Sequence, residues 1–146
     1  MMIEMFFNFN GNCREALNFY SQVFQAPVTG LMTYGETPPD SGFQPTAADK
    51  ELIMYAGIPV GNMTIMFMDN PSTDSAVKAG TNISPTISAD NTEEVTRLFT
   101  ELAKGGQVGM PLGKTFFSDW YGMVTDKFGI TWQILLYIPA AATTQV

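Results

Sequence analysis

The sequence predicts an α+β fold of two like halves, each a strand, then a helix, then three strands. Three observations predict it. Apolar residues alternate over many short stretches but recur at helical spacing over only two longer ones. Each helical stretch follows an asparagine able to head it, Asn12 or Asn91. The strand-like stretches come in runs, without the regular strand-helix alternation of a parallel α/β sheet.

In chain order, Ile3, Met5, Phe7 and Phe9 alternate with Glu4, Phe6, Asn8 and Asn10, as in a half-buried strand. Gly11 and Asn12 break it, and Ala16, Leu17, Phe19, Tyr20, Val23 and Phe24 then recur as one face of a helix. That helix is expected to stop near Gln25, because Pro27 disfavours helical geometry at Ala26. Strands follow at 28–34, 51–58 and 62–69, the last two joined by the turn signal Pro59-Val60-Gly61. Residues 35–49, rich in Pro, Gly and Asp, read as a long polar loop, mobile or acting as a lid.

After the polar stretch 70–81 the pattern restarts. A strand at 82–89 leads through Asp90 and Asn91 into a helix at 92–104 with Val95, Leu98, Phe99 and Leu102 on its apolar face. Gly105-Gly106 ends it. Strands near 107–110, 119–125 and 130–137 complete the half. An offset of 79 residues lays Asn12 on Asn91, Glu15 on Glu94, Phe19 on Leu98, Tyr20 on Phe99 and Val23 on Leu102, an internal repeat. The expected organisation is one domain of two modules, about 1–70 and 80–138, with a flexible C-terminal tail at 139–146.

Composition narrows function. A net charge of −7, with the basic residues scattered, disfavours nucleic acid and anionic lipid as partners. No apolar run approaches the roughly 18 residues of a membrane helix, and the N-terminal stretch lacks a basic secretory n-region. The single Cys13 cannot pair within the chain, so a cytoplasmic location is expected. There is no histidine, which removes Ser-His-Asp and Cys-His catalysis and leaves no nitrogen or thiolate set for zinc.

The stretches FNFNGNCREALNFYSQVF and GGQVGMPLGKTFFSDWYGMVTDKFGITWQI carry a resemblance. With Met110-Pro111, Tyr121-Gly122 and Asp126-x-Phe128-Gly129-x-x-Trp132, the chain resembles the PhnB-like branch of the vicinal oxygen chelate superfamily, which includes glyoxalase I, extradiol dioxygenases and bleomycin-resistance proteins. The resemblance implies a glyoxalase-like domain of paired βαβββ modules whose curved antiparallel sheets enclose a cleft, and a homodimer. The same branch carries the label 3-demethylubiquinone 3-methyltransferase. No G-x-G-x-x-G or G-x-G-x-G occurs to cradle such an enzyme's nucleotide cofactor, so that activity is not expected.

Enzymes of the superfamily hold a divalent cation by His and Glu from the first and last strands of each module. The matching positions here are read as Gln133, four residues after Gly129, Ile65, four after Gly61, a residue near Ser84, and Glu4. These offer one carboxylate at most, so no metal and no cofactor are expected. The expected function is binding of a small, largely apolar organic molecule; the alternative is a metal-dependent glyoxalase- or dioxygenase-type enzyme. The candidate ligand-binding residues are Phe6, Asn8, Tyr55, Trp120 and Gln133. Gln133 offers a neutral amide that donates and accepts, although a solvated sheet face is its other reading. Tyr55 and Trp120 are pocket-wall aromatics or ordinary core, and catalytic residues are not assigned.

Overall fold

The computed structural model describes residues 1–137; the tail expected at 139–146 lies outside the described residues. The chain forms two units, Met1–Lys78 and a second from Ala79 onward. The first runs β1 (Met5–Phe9), α1 (Cys13–Phe24), β2 (Thr29–Thr33), a 3-10 turn (Tyr34–Glu36), β3 (Ile53–Val60) and β4 (Met63–Asp69). The second runs β5 (Thr86–Ala89), α2 (Thr92–Ala103), β6 (Gln107–Gly113), β7 (Tyr121–Thr125) and β8 (Thr131–Leu136). Both are βαβββ, as the repeat predicts.

Each unit carries one four-stranded sheet, ordered β1-β4-β3-β2 and β5-β8-β7-β6. The expectation of antiparallel sheets needs correction, since β1 runs parallel to β4 and β5 parallel to β8. The chain reversals require it: a helix returns the chain after the first strand, and two hairpin reversals later the last strand points the way the first did. Both sheets are therefore mixed.

In the first unit alternation sends Phe7, Phe9, Ile58, Ile65 and Phe67 to the α1 side, where all are buried. Phe7, Tyr20 and Phe67 meet there with ring centroids 5.5–5.8 Å apart. Asn12 does not cap α1 with its side chain. Asp69 does so instead, at the end of β4. Its carboxylate accepts from Cys13 N–H at 2.9 Å and from Ile53 N–H at 3.0 Å, and its carbonyl accepts from the Tyr34 hydroxyl at 2.8 Å. One buried acid thus ties the helix start to two strands.

Asn91 does cap α2, accepting from Glu94 N–H at 2.9 Å. Val95, Leu98 and Leu102 pack on Val124, Trp132 and Ile134, all buried. Gly122 lies beneath α2 so closely that a Cβ there would sit 2.6 Å from the Phe99 ring. β5 is shorter than 82–89 because Pro85 has no N–H to pair. β6 is longer than expected and passes through Pro111, which an edge strand with register shifts tolerates.

The polar loop 35–49 is tied down within its unit. Asp49 accepts from the Thr46 hydroxyl and from the Ser72 hydroxyl, each at 2.8 Å, and from Ser72 N–H at 3.2 Å; Phe43 packs on Tyr34 at 5.5 Å. Among the described residues no helix is long and apolar enough to cross a membrane.

Candidate functional site

Each sheet has a face turned away from its helix, and strand register decides what stands on it. On the first sheet Phe6 pairs with Met66, Asn8 with Met68, and Gly57 lies opposite Met66 on the other side. Tyr55, two residues before Gly57, shares their face, and its ring meets Phe6 edge-on with centroids 6.3 Å apart. Three residues predicted from sequence, Phe6, Asn8 and Tyr55, are therefore brought together. Met66 and Met68 join them, while Ile65 and Phe67 are buried on the helix side. Phe6, on the edge strand β1, is 41 % exposed and Tyr55, on the inner strand β3, 36 %.

On the second sheet Gln133 pairs with Thr86 on one side and Met123 on the other. Tyr121 shares this face and is buried, and its hydroxyl donates to Gln133 Oε1 at 2.8 Å. The Phe117 ring holds the Tyr121 ring from beyond the strand end, centroids 5.0 Å apart. Farther along, the Thr125 and Thr131 hydroxyls bond each other at 2.8 Å.

Trp120 does not join Gln133. Adjacent in sequence to Tyr121, it takes the opposite strand phase and lies against α2, donating from Nε1 to Thr96 Oγ1 at 3.1 Å. There it lines an open groove of about 740 Å³ with Thr92, Glu93, Thr96, Arg97, Thr100 and Glu101. The sequence offers Trp120 as a pocket wall or ordinary core without assigning its face; the structure places it on the α2 side, apart from Gln133.

Asp126 and Gly129 explain the motif Asp126-x-Phe128-Gly129-x-x-Trp132. The Asp126 carboxylate accepts from Phe128 N–H at 2.9 Å and Ile130 N–H at 3.1 Å with one oxygen, and from the Trp132 indole at 2.8 Å with the other. Gly129, at φ 86°, supplies the left-handed residue that closes the turn. The turn thereby fixes the register of β8, and with it the face on which Gln133 stands.

A model of the Glyoxalase/Bleomycin resistance protein/Dioxygenase superfamily matches residues 3–134. The chain belongs to this superfamily. Among curated relatives, Protein YjdN of Escherichia coli (strain K12) is 29% identical over 144 residues, covering 92% of this chain and 94% of YjdN. Among solved structures, protein PA1353 from Pseudomonas aeruginosa is 34% identical with a TM-score of 0.82, covering 93% of this chain and 97% of that one. The PhnB protein from Bacillus cereus, solved as a provisional 3-demethylubiquinone-9 3-methyltransferase, is 26% identical with a TM-score of 0.74, covering 94% of this chain and all of that one (100%).

The divalent cation that the superfamily implies does not fit the residues present. The positions that meet across the first and last strands, on the faces turned from the helices, are Phe6 with Met66 and Asn8 with Met68 in the first unit, and Thr86 with Gln133 and Ser88 with Leu135 in the second. Phenyl, thioether, hydroxyl and amide groups supply no anionic ligand for a hard cation. Ile65 is not the counterpart of Gln133. A two-residue turn sets Gly61 next to its strand pair Val60–Met63, whereas Gly129 lies in the longer turn between Thr125 and Thr131, so four residues on from each glycine is a different face. Ser84 spends its hydroxyl on the Thr131 carbonyl at 2.7 Å. Among the described residues no three His, Cys, Asp or Glu side chains converge to hold an ion.

Cys13, beside the α1 N-terminus, is not an activated thiol. Burial pushes its pKa up to about 12 from 9.0, the Asp69 carboxylate adds to the rise, and Arg14 opposes it. Sequence reading missed both Tyr121 and Asp69. Tyr121 could have been found from its alternation with Met123 and Thr125; Asp69 had only its place at the end of an apolar strand.

Proposed function

We propose that this chain is a small-molecule-binding member of the superfamily that recognises a largely apolar organic ligand without a catalytic metal. Each unit offers its helix-distal sheet face as a ligand-contacting surface, with Phe6, Asn8 and Tyr55 on that of the first unit and Gln133 with Tyr121 on that of the second. The observation that carries the reading is the neutral character of the two central cross-strand pairs, Phe6–Met66 and Thr86–Gln133. In the first unit exposed aromatic rings with adaptable methionines beside them suit an apolar ligand surface, and in the second the Gln133 amide suits a polar group. Trp120, on the other side of its sheet, is outside this site.

A glyoxalase- or dioxygenase-type reaction needs a Lewis acid, for which the neutral side chains of these pairs are poor ligands. Methyl transfer is not supported either: the two strand-to-helix turns, 10–12 and 90–91, lack a glycine-rich cradle, and the first places the Asp69 carboxylate at the helix start. A cytoplasmic homodimer completes the proposal, resting on the lone buried thiol and on what the superfamily resemblance implies.

The test is a thermal-shift and native mass-spectrometric screen of the purified protein against apolar metabolites and antibiotics, with metal analysis of the same preparation. Binding by wild type that is weakened in Tyr55→Ala and Gln133→Ala is expected. Stoichiometric metal required for turnover, or no hit across the panel, would overturn it.

A further inference from the structure

The buried Tyr121 hydroxyl does more than fill space. A phenol is a good donor and a poor acceptor, and here it donates to Gln133 Oε1 at 2.8 Å. Tyr121 is itself held, with only 8% of its surface exposed and the Phe117 ring packed edge-on against it at 5.0 Å. An amide whose oxygen is engaged by a fixed donor cannot turn over without losing that bond, so its two N–H groups are the ones left to meet a ligand. Among the described residues no strand position on this face carries an ionisable side chain apart from Tyr121; the neighbours of Gln133 are Thr86 and Met123, and beyond them Thr125, Thr131 and Leu135.

We infer that Tyr121 is a specificity-determining positioning residue that sets Gln133 as a donor, so that the site takes ligands whose polar head is a neutral acceptor, a carbonyl of the ketone, ester or amide class. A carboxylate would meet no countercharge on this face. An amine head would set donor against donor. The inference rests on the proposed reading of this face as the ligand site.

The experiment uses four aromatic probes that share a phenyl body: acetophenone, acetanilide, phenylacetate and benzylamine. Each is titrated into the full chain labelled with ¹⁵N, and the Gln133 side-chain amide is assigned by its loss in Gln133→Leu. Acetophenone and acetanilide are expected to shift that amide and to bind roughly three- to ten-fold more tightly than benzylamine, the worth of one net hydrogen bond. In Tyr121→Phe, which keeps the ring and its packing on Phe117, the amide is released and the preference should fall to within about two-fold. Benzylamine binding as well as the ketone, or Tyr121→Phe keeping the full preference, would overturn the inference while leaving the face as a ligand site. Failure of all four probes to perturb any residue of either sheet would count against the proposed function itself, and against this inference with it.

Discussion

Replacing Asp126 by Asn should cost far more than the loss of one surface charge, because the geometry gives the amide no acceptable orientation. Asp126 is 3% exposed and accepts on Oδ1 from Phe128 and Ile130 N–H and on Oδ2 from the Trp132 indole. An asparagine has one acceptor oxygen. If that oxygen serves the two backbone donors, the new amide N–H faces the indole N–H 2.8 Å from the atom it replaces. If it serves the indole, two backbone donors lose their partner. The first placement is the milder. It forfeits one hydrogen bond to a charged group, about 1.5–3 kcal/mol, and leaves a buried donor unsatisfied, about 1–3 kcal/mol. A net loss of about 2–4 kcal/mol is expected after relaxation.

Urea unfolding followed by far-UV circular dichroism measures it, and a double-mutant cycle with Trp132→Phe identifies the cause. Trp132→Phe destabilises on its own, by lost volume and a lost bond. It also removes the donor that clashes, so Asp126→Asn should cost at least about 1 kcal/mol less in the Trp132→Phe background than in wild type. Additive effects, or Asp126→Asn within about 0.5 kcal/mol of wild type, would refute the claim that this carboxylate holds the turn that sets the β8 register.

Gly122→Ala should destabilise by about 1–3 kcal/mol, read as a lowered urea midpoint, since its Cβ would meet Phe99 at 2.6 Å and Leu112 at 2.9 Å. Gln133→Glu should not create a metal site, as its cross-strand neighbours Thr86 and Met123 add no charged ligand; elemental analysis after incubation with manganese or zinc should match wild type. The Cys13 thiol should stay unreactive to a disulfide reagent at pH 8 until the chain unfolds, because burial holds its pKa near 12. Its linkage runs toward alkali. The folded thiol keeps its proton above 9.0 where the unfolded one releases it, so this contribution to stability is complete below about 9 and falls as pH rises toward 12. Cys13→Ala should lose less stability than wild type across that window, measured by thermal melts.

What the sequence made legible follows from which interactions are local. Strand alternation and helical spacing are properties of neighbouring residues, so both βαβββ orders and the common face of Phe6 and Asn8 could be read directly, whereas the place of Tyr55 beside Phe6 needed the strand pairing. The α2 cap at Asn91 was equally readable, since its partner Glu94 is three residues away. The α1 cap was not, because its acceptor, Asp69, lies 56 residues from Cys13 and reaches it only once β4 is in place. The face of Trp120 was not legible, because Trp120 stands just before β7 and its side is settled only once Tyr121 is paired with Leu135.

The comparison of Gly61 with Gly129 shows why a motif carries its site residue only together with its turn. Both glycines precede the last strand of their module, and both have positive φ. The turn containing Gly129 is built on Asp126, whose carboxylate holds two backbone N–H groups and so fixes a five-residue connection. No such acid stands before Gly61, and the connection closes in two residues. One residue count then delivers Gln133 to the face turned from α2 and Ile65 to the core against α1. The residue that meets Phe6 is Met66, so the first module contributes an apolar centre and the second a polar one. That division arises from turn length before any question of metal affinity.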